Sequence, residues 1–104
     1  MQILNAFSVN MLACDMPASV RFEEVSVDRA ADIAQEAESA VGHADTAAVF
    51  SDVLGVDVPA QRATIALNKG DMALLGQYRG PRLPEGATEL PEGAKIQWIF
   101  VTVD

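Results

Sequence analysis

This sequence predicts an α/β fold, with residues 1–104 forming a single domain built on one mixed sheet of about five strands with helices packed against it. Three observations carry that expectation. Short apolar runs bounded by turn residues stand near both ends, at Gln2–Phe7 and Ile96–Val103, and read as buried strands. Between them, apolar residues recur at helical spacing, first at Ala30, Ile33, Ala34, Ala37 and Val41, then at Ala47, Phe50, Val53 and Leu54. A length of 104 residues supports one core and not two.

The elements follow in order. Gln2–Phe7 is expected as the first strand, with Asn5, Ser8 and Asn10 at or just beyond its end. Met16-Pro17-Ala18-Ser19 reads as a loop, and the apolar residues Val20, Phe22 and Val25 suggest a half-exposed second strand. Ser26 or Asp28 can cap a helix that runs about three turns to Val41, with Asp28, Asp32 and Glu36 on its polar face and Gly42 placed to stop it. A second helix follows at once, with Asp45 or Thr46 in its first turn and Gly55 at its end. Val56–Gln61 contains Pro59 and reads as a loop, followed by a strand over about Arg62–Leu67. Asn68-Lys69-Gly70-Asp71 signals a hairpin turn into a return strand at Met72–Tyr78. From Arg79 to Lys95 the prolines and glycines preclude regular structure, and irregular stretches of that length are usually lids, binding loops or disordered segments. Ile96–Val103 is almost wholly apolar and belongs inside the sheet, not on its edge.

Charge excludes some functions. Fifteen acidic residues stand against seven basic ones, a formal charge of −8, whereas broad binding to duplex nucleic acid needs clustered Lys and Arg. A small anionic ligand needs only a few positive groups, and Arg62, Lys69, Arg79 and Arg82 fall within one short interval. Cys14 is the only cysteine, so no intrachain disulfide can form and no cysteine pair offers a metal site. A reducing cytoplasm is the expected location. Met11-Leu12-Ala13-Cys14 echoes a lipid-attachment box, but no Lys or Arg precedes it and Asn5 and Asn10 interrupt the apolar stretch, so export is not expected. No run approaches the roughly 18 apolar residues of a membrane span, and no membrane partner is expected.

His43 is the only histidine, and it falls where the first helical pattern gives way to the second. Its side chain is the one able to give and take a proton near neutral pH, and a helix start favours an anion such as phosphate. A plainer role as a capping or packing residue stands beside that one. Asn5, Ser8 and Asn10 lie where open α/β sheets hold ligands, although Ser and Asn there also build turns by bonding their own backbone. Arg62 at a strand start, and Arg82 and Glu85 in the long loop, complete the set. Metal-ligand spacing, a phosphate-binding glycine loop and a serine elbow are all missing, so no metal or cofactor is expected. A histidine, a carboxylate and arginines suit cleavage of a phosphodiester whose own ribose 2′-hydroxyl is the nucleophile.

Five stretches together resemble the small viral and bacterial ring nucleases that act as anti-CRISPR proteins against type III systems. They are Leu4-Asn5-Ala6-Phe7-Ser8-Val9-Asn10-Met11-Leu12, Val41-Gly42-His43 with Thr46, Leu54-Gly55-Val56 leading to Gln61-Arg62, Gly70-Asp71, and Arg82-Leu83-Pro84-Glu85-Gly86. They keep the family's order over nearly the whole chain. The resemblance implies a homodimer that binds cyclic tetra-adenylate between its subunits and opens the ring without metal, leaving linear products with 2′,3′-cyclic phosphate ends. Destroying that messenger suppresses type III CRISPR immunity. By position, the resemblance implies His43 as the acid that protonates the leaving 5′-oxygen and Glu85 as the group that assists proton transfer or orients the site. It implies Arg62 and Arg82 on phosphates, with Asn5, Ser8, Asn10 and Thr46 as further ligand contacts.

Two departures from the family stand out. Glu89-Leu90-Pro91-Glu92-Gly93 is short and proline-broken where several relatives carry an acidic helix, and Asp45 stands where relatives often have a small side chain. The alternatives to a ring nuclease are a protein that sequesters the cyclic nucleotide uncut, and a DNA-binding viral protein, which the charge disfavours.

Overall fold

The computed structural model describes every residue from Met1 to Asp104. In chain order the elements are β1 (Gln2–Leu4), β2 (Val20–Val25), α1 (Val27–Ala34), β3 (Glu38–Ser39), α2 (Ala44–Leu54), β4 (Met72–Arg79) and β5 (Lys95–Val103), with a short 3-10 turn at Val9–Met11. Strand order is β2-β5-β4-β1-β3. β1 pairs in parallel with β3 and β4, while β5 pairs antiparallel with β4 and β2. Four strands therefore run one way and β5 alone opposes them, giving the five-stranded mixed sheet expected.

Side chains alternate between the two faces of a sheet. Ile3, Leu74 and Trp98 point to the face that carries both helices and pack with Ala30 and Ala34 of α1 and Ala47, Phe50 and Leu54 of α2. Leu4, Ala73, Leu75 and Val101 point to the opposite face, which Phe7, Met11 and Ile65 cover from irregular chain. β5 sits between β2 and β4, in the interior position its apolar sequence predicts. β2 is an edge strand and half-exposed, also as expected.

Several boundaries differ from expectation. β1 stops at Leu4 because its ladder with β4 ends at the Leu4–Leu75 pair. α1 is capped by Ser26, whose Oγ accepts the Arg29 N–H at 3.2 Å, but it ends at Ala34 and not near Val41. The cause is tertiary: the Glu38 N–H donates to Met1 O and the Ala40 N–H to Ile3 O, each at 2.9 Å. A two-residue strand thereby covers the open edge of β1, whose backbone groups would otherwise lack partners. Val41 is fully buried as the periodicity requires, but on extended chain. Gly42 consequently ends no helix and does not adopt positive φ.

The strand expected over Arg62–Leu67 is absent apart from a single bridge between Leu67 and Leu12. Both sides of β4 are taken, by β1 and β5, so this segment cannot join it as a hairpin. The Asn68–Asp71 turn forms nonetheless, with the Asn68 N–H donating to Asp71 Oδ2 at 2.8 Å and Gly70 at φ 94°. α2 matches its prediction, ending at Gly55 with φ 68°.

One glycine is required by close packing. A Cβ on Gly76 of β4 would lie 2.5 Å from Phe50 Cζ and 2.6 Å from Trp98 Cζ3. Those rings meet edge-on above it, with centroids 4.9 Å apart and planes at 65°. Because rigid rings cannot yield as a flexible side chain does, Gly76→Ala is expected to lower the unfolding free energy by about 1–3 kcal/mol, the usual range for overpacking. Urea denaturation followed by Trp98 fluorescence measures it, and an unchanged midpoint would show that the rings do not constrain this position.

Candidate active site

The strand directions gather one end of the sheet. Asn5 follows the carboxyl end of β1, Val41-Gly42-His43 follows that of β3, and the long loop leaves that of β4. In open α/β sheets this is the end that holds ligands. α2 also begins here, with His43 as its N-cap.

His43 is exposed, and its imidazole makes no capping hydrogen bond. Helix starts usually carry Ser, Thr, Asp or Asn, whose oxygen takes a free N–H of the first turn. Here the N–H groups at the start of α2 keep that capacity, and Thr46 lies half-buried in the same turn.

Arg62 reaches this helix start by a route the sequence did not suggest. Ser51 Oγ, on α2, accepts the Val58 N–H at 2.8 Å, and the Gln61 N–H donates to Val41 O at 2.8 Å. These bonds fold the chain after α2 back beside Gly42. A Cβ there would stand 3.2 Å from Arg62 Cγ, so Gly42 serves as room for the arginine stem.

Residues 80–94 are irregular, as expected. At the loop's base the Tyr78 hydroxyl donates to Pro81 O at 2.5 Å. Further along, the Gly86 N–H donates to Asp45 Oδ1 at 3.1 Å, which brings the loop onto the first turn of α2. Asp45, Arg82, Leu83, Pro84 and Glu85 then line a concavity of about 510 Å³. Asp45, Arg82 and Glu85 thus share one concavity at the start of α2, where His43 is the N-cap and Thr46 lies in the first turn, while Arg62 packs beside Gly42. Asp45 is the member whose part was not legible, because its partner is 41 residues away.

The other expected contacts are arranged differently. Asn5 lies at the same end of the sheet and is half-buried. Ser8 Oγ accepts the Asn10 N–H at 3.2 Å and so caps the 3-10 turn, the local role weighed for it; no hydrogen bond links Ser8 or Asn10 to the His43 group. Of the four cations close in sequence, Lys69 sits in the turn before β4, at the far end of the sheet. Arg79 donates twice to Gln97 Oε1, at 3.1 and 2.8 Å, and Gln97 in turn donates to Glu24 Oε1 at 3.1 Å. Arg62 and Arg82 have no hydrogen bond or ion pair; the chain's ion pair joins Arg21 to Asp104 at 3.8 Å. No group of three or more His, Cys, Asp or Glu side chains is placed to hold a metal ion.

Residues 1–98 match the STIV B116-like family model. The chain belongs to the STIV B116-like family. Among solved structures, this member is similar to B116 of Sulfolobus turreted icosahedral virus, with a TM-score of 0.81 and 24% identity over 97% of each chain. That likeness is one of fold. No curated protein matches it. No helix of this family member is long and apolar enough to cross a membrane.

The uncapped helix start has a measurable consequence. In His43→Ser the hydroxyl can accept an N–H of the first turn, and stability is expected to rise by about 0.5–1 kcal/mol. Equilibrium urea unfolding reads the change, and a loss of stability would mean that the imidazole supports the fold.

Proposed function

We propose that this protein is a metal-independent ring nuclease that acts as a cytoplasmic homodimer on cyclic tetra-adenylate and so suppresses type III CRISPR immunity. The observation that carries the reading is a division of labour at the carboxyl end of the sheet. His43, Arg62, Arg82 and Glu85 make no intramolecular hydrogen bond through their side chains, while Ser51, Gln61, Tyr78 and Asp45 bond the segments that hold them. Free guanidinium groups beside a helix start suit phosphodiester oxygens, since both present N–H donors to an anion.

The chemistry balances without another reactant. The ribose 2′-oxygen attacks the adjacent phosphorus, the bond from phosphorus to the 5′-oxygen breaks, and His43 gives its proton to that leaving oxygen. The 2′-hydroxyl proton passes to solvent or to Glu85. Each cut yields a 5′-hydroxyl and a 2′,3′-cyclic phosphate. With one His43 per subunit, a dimer sets two such centres across its axis, matching opposite phosphodiesters of a two-fold symmetric ring. Arg62 and Arg82 would hold phosphates, and Thr46, Asn5, Ser8 and Asn10 would line the remainder of the ligand site.

The test incubates the protein with cyclic tetra-adenylate and a chelator and separates the products by chromatography and mass. Linear products with cyclic phosphate ends are expected from the wild type, with a loss of roughly 10²–10⁴ in rate for His43→Ala, the range of a general acid. Intact ring released on denaturation would make the protein a sequestering one. Equal cleavage by His43→Ala would remove the histidine from the chemistry.

A further inference from the structure

The loop of residues 80–94 carries Arg82 and Glu85, yet little holds it. Its base is pinned by Tyr78 on Pro81, and its own turns close through the Ala87 N–H on Pro84 O and the Ala94 N–H on Pro91 O, each at 3.1 Å. One hydrogen bond joins it to the helical layer, from the Gly86 N–H to Asp45 Oδ1 at 3.1 Å. The geometry of Pro84–Ala87 explains why that N–H is available. Gly86 has φ 78°, the third-position requirement of a type II turn, with Glu85 at its corner. The turn bond uses the N–H of Ala87 and leaves that of Gly86 without a partner in the loop.

Asp45 is the second residue of α2, two positions after His43, and half-buried. Its carboxylate takes that free N–H, so Glu85, the residue before Gly86, is fixed relative to the helix start that carries His43. The same carboxylate lines the concavity with Glu85 and Arg82. Two negative groups there face one guanidinium, an arrangement that repels a polyanion.

We propose that Asp45 is a positioning residue, whose carboxylate latches the Pro84–Ala87 turn to α2 and sets Glu85 against His43 while weakening the hold on an anionic ligand. The effect on turnover rests on the ring-nuclease reading; the latch itself does not. Asp45→Asn keeps an oxygen acceptor and removes the charge, whereas Asp45→Ala removes both.

Amide hydrogen exchange of the full chain, read by NMR, tests the latch without any ligand. The Gly86 N–H is expected to exchange at least tenfold faster in Asp45→Ala than in wild type, with Asp45→Asn restoring most of the protection. Equal exchange in wild type and Asp45→Ala overturns the latch. Steady-state cleavage of cyclic tetra-adenylate tests the positioning. KM is expected to fall several-fold in both variants, and kcat to fall about tenfold in Asp45→Ala and to recover in Asp45→Asn. A lowered KM with wild-type kcat in Asp45→Ala would leave repulsion alone and overturn the positioning role. If the wild type leaves the ring intact, the nuclease reading fails, and the exchange result alone decides the latch.

Discussion

The contact on which the remaining arrangement depends is the meeting of Phe50 and Trp98 over Gly76. β4 is the middle strand, and the missing side chain at Gly76 lets a ring from α2 and a ring from β5 share the space above it. Both rings are buried, and each removes a large apolar area from water. The same contact fixes where α2 lies on the sheet. Since α2 is capped by His43 before its first residue and by Gly55 after its last, docking it at Phe50 places the imidazole at the carboxyl end of the sheet. Ser51, the next residue, then ties down Val58 and returns the chain to Gly42. Core packing and site geometry are in this sense one constraint.

That dependence explains what the sequence could convey. Elements whose signals are local, such as Ser26 as a cap, Gly55 as a stop and the apolar run of β5, lie where the pattern puts them. β3 is different. Glu38 and Ser39 carry no strand signal, and Ala37 and Val41 continue the helical periodicity of α1, so only the open edge of β1 determines that they pair. Arg62–Leu67 is the converse, a segment with strand character and no free strand to join. Both errors arise from sheet adjacency, a property of the assembled chain and not of any window of it.

The site follows the same division. His43, Arg62, Arg82 and Glu85 were legible because their chemical types are scarce in this chain or fall in a loop of unusual length. What gathers them was not. Gly42 reads as a helix terminator and serves as space for an arginine, and Asp45 reads as an ordinary first-turn acid and reaches a glycine 41 positions on. Ser8 shows the limit from the other side: the residue type suits ligand contact and turn building alike, and its oxygen accepts the N–H of its own turn while its hydroxyl stays able to donate.

The proposed binding of a phosphate ring by an acidic chain is contradictory only if net charge is taken as the controlling quantity. At physiological ionic strength, charges more than about 8 Å apart are largely screened, so the −8 total counts for less than the groups around the helix start. There Arg62 and Arg82 stand against Asp45 and Glu85, a local sum of zero when His43 is neutral. Long-range attraction therefore supplies little of the affinity in the proposed complex. Directional donors must supply it: guanidinium forks and first-turn N–H groups, each effective only at hydrogen-bond distance. Such a site discriminates by geometry more than by charge, so it is sensitive to where the loop of residues 80–94 rests on α2. This gives one hydrogen bond from Gly86 a weight in the proposed chemistry that its exposed position alone would not.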